Sequence, residues 1–229
     1  IFFLLFLHAM ISSLYSLFLY QETAPTLQHR SVSVYKQAIQ AYRRVFSSLD
    51  YHVYTLPAAV GIGSFFSFYC MSSYLYQEVI HITPLSYGLL YGSCGLIFFV
   101  GSFLCGQTVK RIGIQKTLWA GLTSHMIGAL VVTGSFLITG KSLLIPTHLG
   151  VLLIIFGSSY MISAGIGGTM APFKDIAGAT FALISAYKFI FAQILADIIM
   201  RFYSGTAEPF GIILILANIT AAAVLLIGQ

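Results

Sequence analysis

The chain has 229 residues, of which 58% are hydrophobic and only 7% are charged, and its formal net charge is +5. A soluble domain is about one quarter charged, so this composition excludes an ordinary water-facing surface and predicts an integral membrane protein. The basic residues lie in loops between apolar stretches and not on one face, which argues against a nucleic-acid partner and is typical of loops that orient a membrane protein.

Seven apolar stretches are each long enough to cross a bilayer as a helix, which takes about 20 residues for a hydrocarbon core of roughly 30 Å. Prolines and basic clusters mark most of the boundaries between them. The predicted fold class is therefore all-α, a polytopic membrane helical bundle. The predicted spans are 1–20, 53–77, 85–107, 115–139, 147–168, 176–200 and 209–228.

The segment 21–52 differs from the other connections because it is too long for a simple loop and too polar to span. Apolar residues recur in it at helical spacing, with basic residues elsewhere around the helix. This pattern predicts a basic amphipathic helix on the cytoplasmic membrane surface or between two bundles; a solvated linker is the alternative. The apolar positions are Val34, Ala38, Ala41, Val45 and Leu49, and the basic ones are Lys36, Arg43 and Arg44.

The basic residues of the loops predict the orientation of the chain. Odd-numbered loops hold eight Lys or Arg and even-numbered loops hold two, Lys141 and Arg201. Because cytoplasmic loops carry the excess of basic residues, odd loops are predicted to be cytoplasmic. The N-terminus of this fragment is then outside and the C-terminus is inside a cell inner (plasma) membrane.

No catalytic or phosphate-binding motif is present, and the three cysteines lie in apolar segments without metal-ligand spacing. We therefore predict no enzyme activity, no cofactor and no metal site.

Lys188 is the main candidate for a functional residue in the spans, because burying an ionisable group at bilayer depth costs free energy and such groups are usually functional. It lies near the centre of the sixth span. Asp197 lies nine residues later, about 13 Å along a helix, and has Arg201 at i+4. We interpret Asp197 and Arg201 as a structural ion pair. We expect Lys188 either to face an anionic substrate, a carboxylate outside this sequence or water in a cavity, or to carry no charge at all.

Other polar residues in the spans have less specific interpretations. The histidines His8 and His125 lack ligand-spaced companions, so we interpret them as buried, hydrogen-bonded side chains. Tyr69, Tyr91 and Tyr160 lie deep enough to line a path, with ordinary packing as the alternative.

Several stretches resemble the major facilitator superfamily, and within it the Bcr/CflA-type multidrug exporters of bacteria. Tyr20–Thr23 resembles the "P-E-T" that follows the family's sixth helix, and Thr83–Gly88 resembles the opening of its eighth. Gly106–Gly113, followed by Leu118–Gly121, resembles the basic loop between helices eight and nine. Ala177–Leu183, after Ala171-Pro172-Phe173, resembles the "A-G-x-A-S-A-L" entry to helix eleven.

The resemblance implies that the seven spans are the last seven of twelve. Segment 1–20 would be the last helix of the N-terminal bundle, 21–52 the cytoplasmic central loop and 53–229 the C-terminal six-helix bundle. The N-terminal half of the same transporter would be a partner, and it is where this family usually keeps its proton-coupling carboxylate. The chain departs from the family pattern at Lys110, where an acid is frequent, and at Lys188, where an uncharged residue is common.

The implied function is secondary active transport, a proton-coupled efflux of a small molecule by an antiporter that works through alternating access. The resemblance alone implies a drug-like substrate, whereas the charge of Lys188 makes drug specificity by analogy unsafe and points instead to an acidic or zwitterionic one. Phe65, Tyr69, Tyr91, Tyr160 and Lys188 would form one wall of the site, and Lys110, Arg111 and Gly113 a gating loop. The partners are the lipid bilayer, the substrate and protons.

Two alternatives stay open at this point. Seven spans with an outside N-terminus also fit a receptor or photoreceptor, although the seventh span has no lysine for retinal. A non-functional remnant of a truncated transporter gene fits the absent initiator Met.

Overall fold

The computed structural model describes residues 2–19 and 34–228, the side chains of Val34 and Tyr35 excepted. Helix α1 (Phe2–Leu19) belongs to a first unit that extends to Lys36, and it corresponds to the predicted span 1–20. The motif Tyr20–Thr23 and residues 24–33 of the predicted central loop lie outside the described residues.

Seven further α-helices follow in the described residues. They belong to the second unit, which begins at Gln37, except for residues 34–36 at the start of α2. A five-residue π-helix, Leu75–Val79, continues α3, and a 3₁₀-helix, Ala171–Ile176, joins α6 to α7. The α-helices are α2 (Val34–Phe46), α3 (Leu49–Tyr74), α4 (Pro84–Ile112), α5 (Ile114–Thr139), α6 (Leu144–Met170), α7 (Ala177–Arg201) and α8 (Glu208–Ile227).

The all-α, membrane-spanning class predicted from the sequence is confirmed. Within the described residues, six apolar stretches are long enough to cross a membrane, and the fifth, Leu144–Arg201, is 58 residues long and contains both α6 and α7. Seven helices of spanning length result. Several extend beyond the predicted spans, as α4 does to Ile112, because hydropathy detects only the apolar part of a helix whose last turn is polar.

Local chemistry sets the ends of the helices. Helix α4 begins where the Thr83 hydroxyl accepts a hydrogen bond from the Ser86 N–H at 3.2 Å, with Pro84 at the first helical position. It ends at Gly113, whose φ of 83° is readily adopted only by glycine. Ile114 starts α5 directly afterwards, so this connection is a single residue long.

Helices α3 to α8 alternate in direction, as successive crossings of one membrane must. Helix α3 runs antiparallel to α6 and α8 and parallel to α7, and α4 runs parallel to α6. The contacts that define these directions are Gly61 with Ser158 and Gly165 with Tyr54 (α3 and α6), Phe68 with Phe210 and Val53 with Gly228 (α3 and α8), Tyr51 with Leu183 and Gly63 with Ala192 (α3 and α7), and Ser93 with His148 and Thr108 with Tyr160 (α4 and α6).

The two ends of this bundle carry different charges. We call the end formed by the starts of α3, α5 and α7 the basic end. Within residues 37–228, the charged residues of the basic end are Arg43, Arg44, Lys110, Arg111, Lys116 and Lys174 and the acids Asp50 and Asp175. The charged residues of the opposite end are Lys141 and Arg201 and the acids Glu78, Asp197 and Glu208. The opposite end therefore has more acids than bases.

The helices differ in how much of their surface the bundle covers. Helix α6 is buried along most of its length, whereas α4 buries only Cys94, Gly101 and Cys105. Gly88 and Gly92 of α4, which a small-residue pattern would place in tight helix contacts, have no atom within 4 Å of the position that an added methyl group would take. Much of α4 therefore faces outward from α3–α8.

Candidate functional site

An aromatic depression lies between α3 and α4. Its lining consists of Phe65, Phe66 and Tyr69 from α3 and Tyr91 from α4, around a volume of about 240 Å³. The rings of Tyr69 and Tyr91 are 6.1 Å apart, and Tyr69 is 63% exposed. The lining is almost entirely apolar, so the depression offers aromatic stacking surfaces.

Lys188 lies on the face of α7 that packs against α3. It is the twelfth residue of a 25-residue helix and is only 7% exposed. Two contacts bracket it on α7: the Tyr51 hydroxyl donates to the Leu183 carbonyl at 3.1 Å, and Gly63 meets Ala192. Lys188 is therefore held in the interface between these two helices.

Lys188 has no hydrogen-bond or ion-pair partner in the part of the chain that the structure describes. The acid on its own helix, Asp197, accepts a hydrogen bond from Arg201 Nε at 2.8 Å, and both side chains of that pair are exposed. An ammonium group buried without an anion is costly. Within the described residues, no neighbouring carboxylate therefore balances the charge of a protonated Lys188.

Phe66 connects the depression to helix α7. Its ring packs edge-on against that of Phe189, the residue after Lys188, at 5.9 Å. The predicted site residues Phe65, Tyr69 and Tyr91 are thus grouped together. Lys188 lies on the neighbouring helix α7, but it does not line the depression, and consecutive helix residues such as Lys188 and Phe189 point in different directions.

Tyr160 occupies a different part of the bundle. Its hydroxyl lies 3.1 Å from the Thr108 hydroxyl in the contact between α4 and α6, and its ring packs against Phe156 at 5.0 Å. Thr108 is 17 residues after Tyr91 on α4, which corresponds to about 25 Å along the helix. Tyr160 is therefore buried near the basic end, away from the aromatic depression.

The predicted gating loop lies at the basic end. Lys110 and Arg111 form the last turn of α4 before Gly113, and both are exposed without an ion-pair partner among the described residues. Basic residues at a helix C-terminus interact favourably with the helix dipole. The helix dipole is thus a sufficient reason for basic residues at this position. The gating role of Lys110 and Arg111 stays a prediction.

The same end carries an ion pair that no local sequence pattern indicates, because its two residues are 131 positions apart. Arg44 of α2 contacts Asp175 of the 3₁₀-helix at 2.5 Å and lies 5.7 Å from the centre of the Phe173 ring. The hydrogen bond from Arg44 holds the pKa of Asp175 below its ordinary value. This contact fastens α2 to the link between α6 and α7.

Two buried histidine clusters connect the helices. His125 lies 2.8 Å from the Ser64 hydroxyl through Nε2 and 2.7 Å from the Asn218 amide nitrogen through Nδ1, joining α5 to α3 and α8. If the amide donates to Nδ1, Nε2–H donates to Ser64, which in turn donates to the Val60 carbonyl at 2.7 Å. This chain of donors suits a neutral imidazole and explains how a polar ring is held in the core.

The second cluster has the same form. The Tyr76 hydroxyl lies 3.0 Å from His148 Nδ1, and the Ser93 hydroxyl lies 3.0 Å from Nε2. It joins the π-helix, α4 and α6. His148, the second residue of the predicted span 147–168, is not among the histidines interpreted from the sequence, and its partners are 55 and 72 residues away.

No protein-family model matches the chain. It is 21% identical over 210 residues to an "Uncharacterized transporter" of Rickettsia bellii (strain RML369-C), covering 88% of this chain and 51% of that protein. It is also 21% identical over 194 residues to the "Uncharacterized MFS-type transporter YdgK" of Bacillus subtilis (strain 168), covering 85% and 47%. The chain is thus distantly similar to MFS-type transporters over most of its length and spans about half the length of these relatives.

Proposed function

We propose that this chain is part of a secondary transporter of the major facilitator type, which exports a small organic anion or zwitterion through alternating access. The distant similarity to two transporters supports the class, and the helical bundle is of the kind that such a mechanism requires. Helices α3 to α8 would form the C-terminal bundle. The N-terminal half of the same transporter would pack against it, and protons would drive export, as the family resemblance implies.

The observation that carries the proposal is Lys188, which is only 7% exposed and has no hydrogen-bond or ion-pair partner among the described residues. Its ammonium group would bind the negative charge of the substrate, while Phe65, Tyr69 and Tyr91, together with Phe66, would stack on an aromatic or apolar body. Tyr160 would act from the far end of the path, and Lys110, Arg111 and Gly113 would act at the cytoplasmic gate. A substrate with one negative charge and a planar apolar body fits this combination best.

The charge difference between the two ends supports the predicted orientation. The basic end would face the cytoplasm in an inner (plasma) membrane, because cytoplasmic loops carry the excess of Lys and Arg. The first span would then enter from the outside. The receptor alternative has no specific observation in its favour, since α8 contains no lysine to hold retinal.

The proposal can be tested in everted membrane vesicles from cells that produce the protein, with fluorescein as an anionic probe and ethidium as a cationic one. In an acid-inside pH gradient, fluorescein uptake should fall roughly tenfold to hundredfold in Lys188→Gln, because a hydrogen bond to a charged group is lost. Lys188→Arg should retain part of the uptake.

Lys141→Gln is the matched control, because Lys141 is an exposed lysine in the loop between α5 and α6. It should transport fluorescein at the original rate, and a protonophore should abolish uptake in both proteins. Unchanged kinetics and pH profile in Lys188→Gln, at equal protein levels, would refute the role of Lys188. Preferential uptake of ethidium would refute the anionic substrate class.

A further inference from the structure

A second apolar surface of α2 is not covered by the bundle. Ile39, Tyr42 and Phe46 follow one another at spacings of three and four residues, so they form one stripe along the helix. They are 47%, 41% and 57% exposed. We call these three residues the α2 stripe.

Contacts on the other side of α2 fix the direction in which the stripe faces. Val45 is fully buried in a cluster with Tyr51, Phe173 and Ile184. Arg44 is held by its ion pair with Asp175. Rotation of α2 to cover the stripe would break both contacts, so the stripe stays turned away from α3–α8.

The connection of α2 to α3 places the Phe46 end of the stripe near the surface of the membrane. Only Ser47 and Ser48 separate Phe46 from the start of the membrane-spanning helix α3. The end of α2 must therefore lie near the level at which α3 leaves the hydrocarbon core. Tyrosine and phenylalanine beside arginine are typical of helices that lie in the headgroup region.

The charge around the stripe selects the kind of lipid. Arg43 follows Ile39 at i+4 and thus borders the stripe, and Gln37–Phe46 contains no acid. Arg43, Lys110, Arg111, Lys116 and Lys174 are exposed at the same end of the bundle and have no ion-pair partner among the described residues. This positive surface complements a leaflet that is rich in phosphatidylglycerol or a similar anionic lipid.

We propose that the α2 stripe inserts between the headgroups of anionic phospholipids at the basic end of the bundle, with Arg43 bound to their phosphates. The central-loop helix is then a lipid-contacting element as well as a connector. The proposal depends on the membrane location of the bundle and not on its substrate.

A tryptophan placed in the stripe can report the contact. The chain has a single tryptophan, Trp119, so Trp119→Phe supplies a background to which Tyr42→Trp is added. The full chain is reconstituted in vesicles of phosphatidylglycerol and phosphatidylcholine, with bromine on the acyl chains of one or the other. Brominated phosphatidylglycerol should quench Trp emission strongly, whereas aqueous iodide should quench it little.

Gln40→Trp in the same background is the matched control, because Gln40 lies on the polar side of α2 and is exposed. Its emission should respond to iodide and little to brominated lipid. Arg43→Gln should lower the preference of the Tyr42→Trp protein for phosphatidylglycerol over phosphatidylcholine by about fivefold, the effect of one basic residue at an anionic surface.

Three results would overturn the proposal. Strong iodide quenching of Tyr42→Trp would place the stripe in water. Protection from both quenchers would mean that another polypeptide segment covers it. Equal quenching by the two brominated lipids, unchanged in Arg43→Gln, would show lipid contact without selection for anionic headgroups. None of these outcomes depends on transport activity.

Discussion

Replacement of Gly128 by alanine should force helices α5 and α6 apart. A methyl group at Gly128 would lie 2.5 Å from the Gly150 carbonyl oxygen and 2.7 Å from the Ile154 backbone nitrogen. Both of these atoms belong to the backbone, so no side-chain rotation relieves the clash. An ordinary contact needs at least 3.4 Å, and the backbones must therefore separate locally by about 0.9 Å.

The free energy of unfolding should fall by about 1–3 kcal/mol in Gly128→Ala, the usual cost of overpacking. Close backbone approach is the main source of helix association in lipid, because apolar side chains gain little by leaving an apolar solvent. The same clash is expected in Gly157→Ala, where the methyl group would lie 2.5 Å from the Gly121 carbonyl oxygen.

Each helix supplies its own control. Gly134 of α5 and Gly167 of α6 have no atom within 4 Å of the added methyl position. Alanine at these sites should leave stability unchanged or raise it by up to about 1 kcal/mol through helix propensity. The measurement is the midpoint of unfolding in mixed micelles with increasing SDS. Equal midpoints for Gly128→Ala and Gly134→Ala would refute the packing argument.

Three further substitutions test the polar interior and the basic end. Lys188→Met should stabilise the bundle by about 1–4 kcal/mol in the same assay, because it removes a buried charge without a described partner, whereas Lys141→Met should have no effect. Ser64→Ala should lower the free energy of unfolding by about 1–3 kcal/mol, because His125 loses a buried hydrogen-bond partner. Thr123→Ala should lower it little, because the Thr123 hydroxyl is exposed and bonded within its own helix. Asp175→Asn should speed tryptic cleavage at Arg43 and Arg44, and Asp50→Asn should not. Because Arg44 holds the pKa of folded Asp175 below its ordinary value, the carboxylate is charged and the ion pair is present at the neutral to alkaline pH at which trypsin works.

The spans could be predicted from the sequence because hydropathy is a local property. Each apolar stretch is long enough to require a helix across the hydrocarbon core, whatever its neighbours are. The capping signal at Thr83-Pro84 and the break at Gly113 are equally local. Helix number and type follow from such signals, and the direction of each helix follows from alternation.

The contacts between helices could not be predicted in this way. The sequence pattern groups Val34, Ala38, Ala41, Val45 and Leu49 as one apolar face of the central-loop helix, and the structure buries Val45 against Phe173, 128 residues later. It also leaves a neighbouring apolar stripe exposed. Periodicity identifies which residues are apolar, but only the tertiary fold decides what covers each of them.

Glycines illustrate the same limit. Gly92 of α4 and Gly157 of α6 both lie inside apolar spans, and nothing in their neighbouring residues distinguishes them. The structure places Gly157 against backbone atoms of α5 and leaves Gly92 open. The difference arises because α6 is surrounded by other helices, whereas α4 is at the outer side of α3–α8.

The contrast between His125 and Lys188 gives the strongest reason to assign function to the lysine. Both are polar side chains inside membrane-spanning helices, and both are largely buried. The histidine ring is fully accounted for by Ser64 and Asn218, so folding alone explains its presence. Lys188 meets no such partner among the described residues, and a residue that lowers stability without local compensation is expected where function requires it. If Lys188→Met raises the free energy of unfolding and Lys188→Gln abolishes anion export, then Lys188 lowers the stability of the bundle and is required for transport.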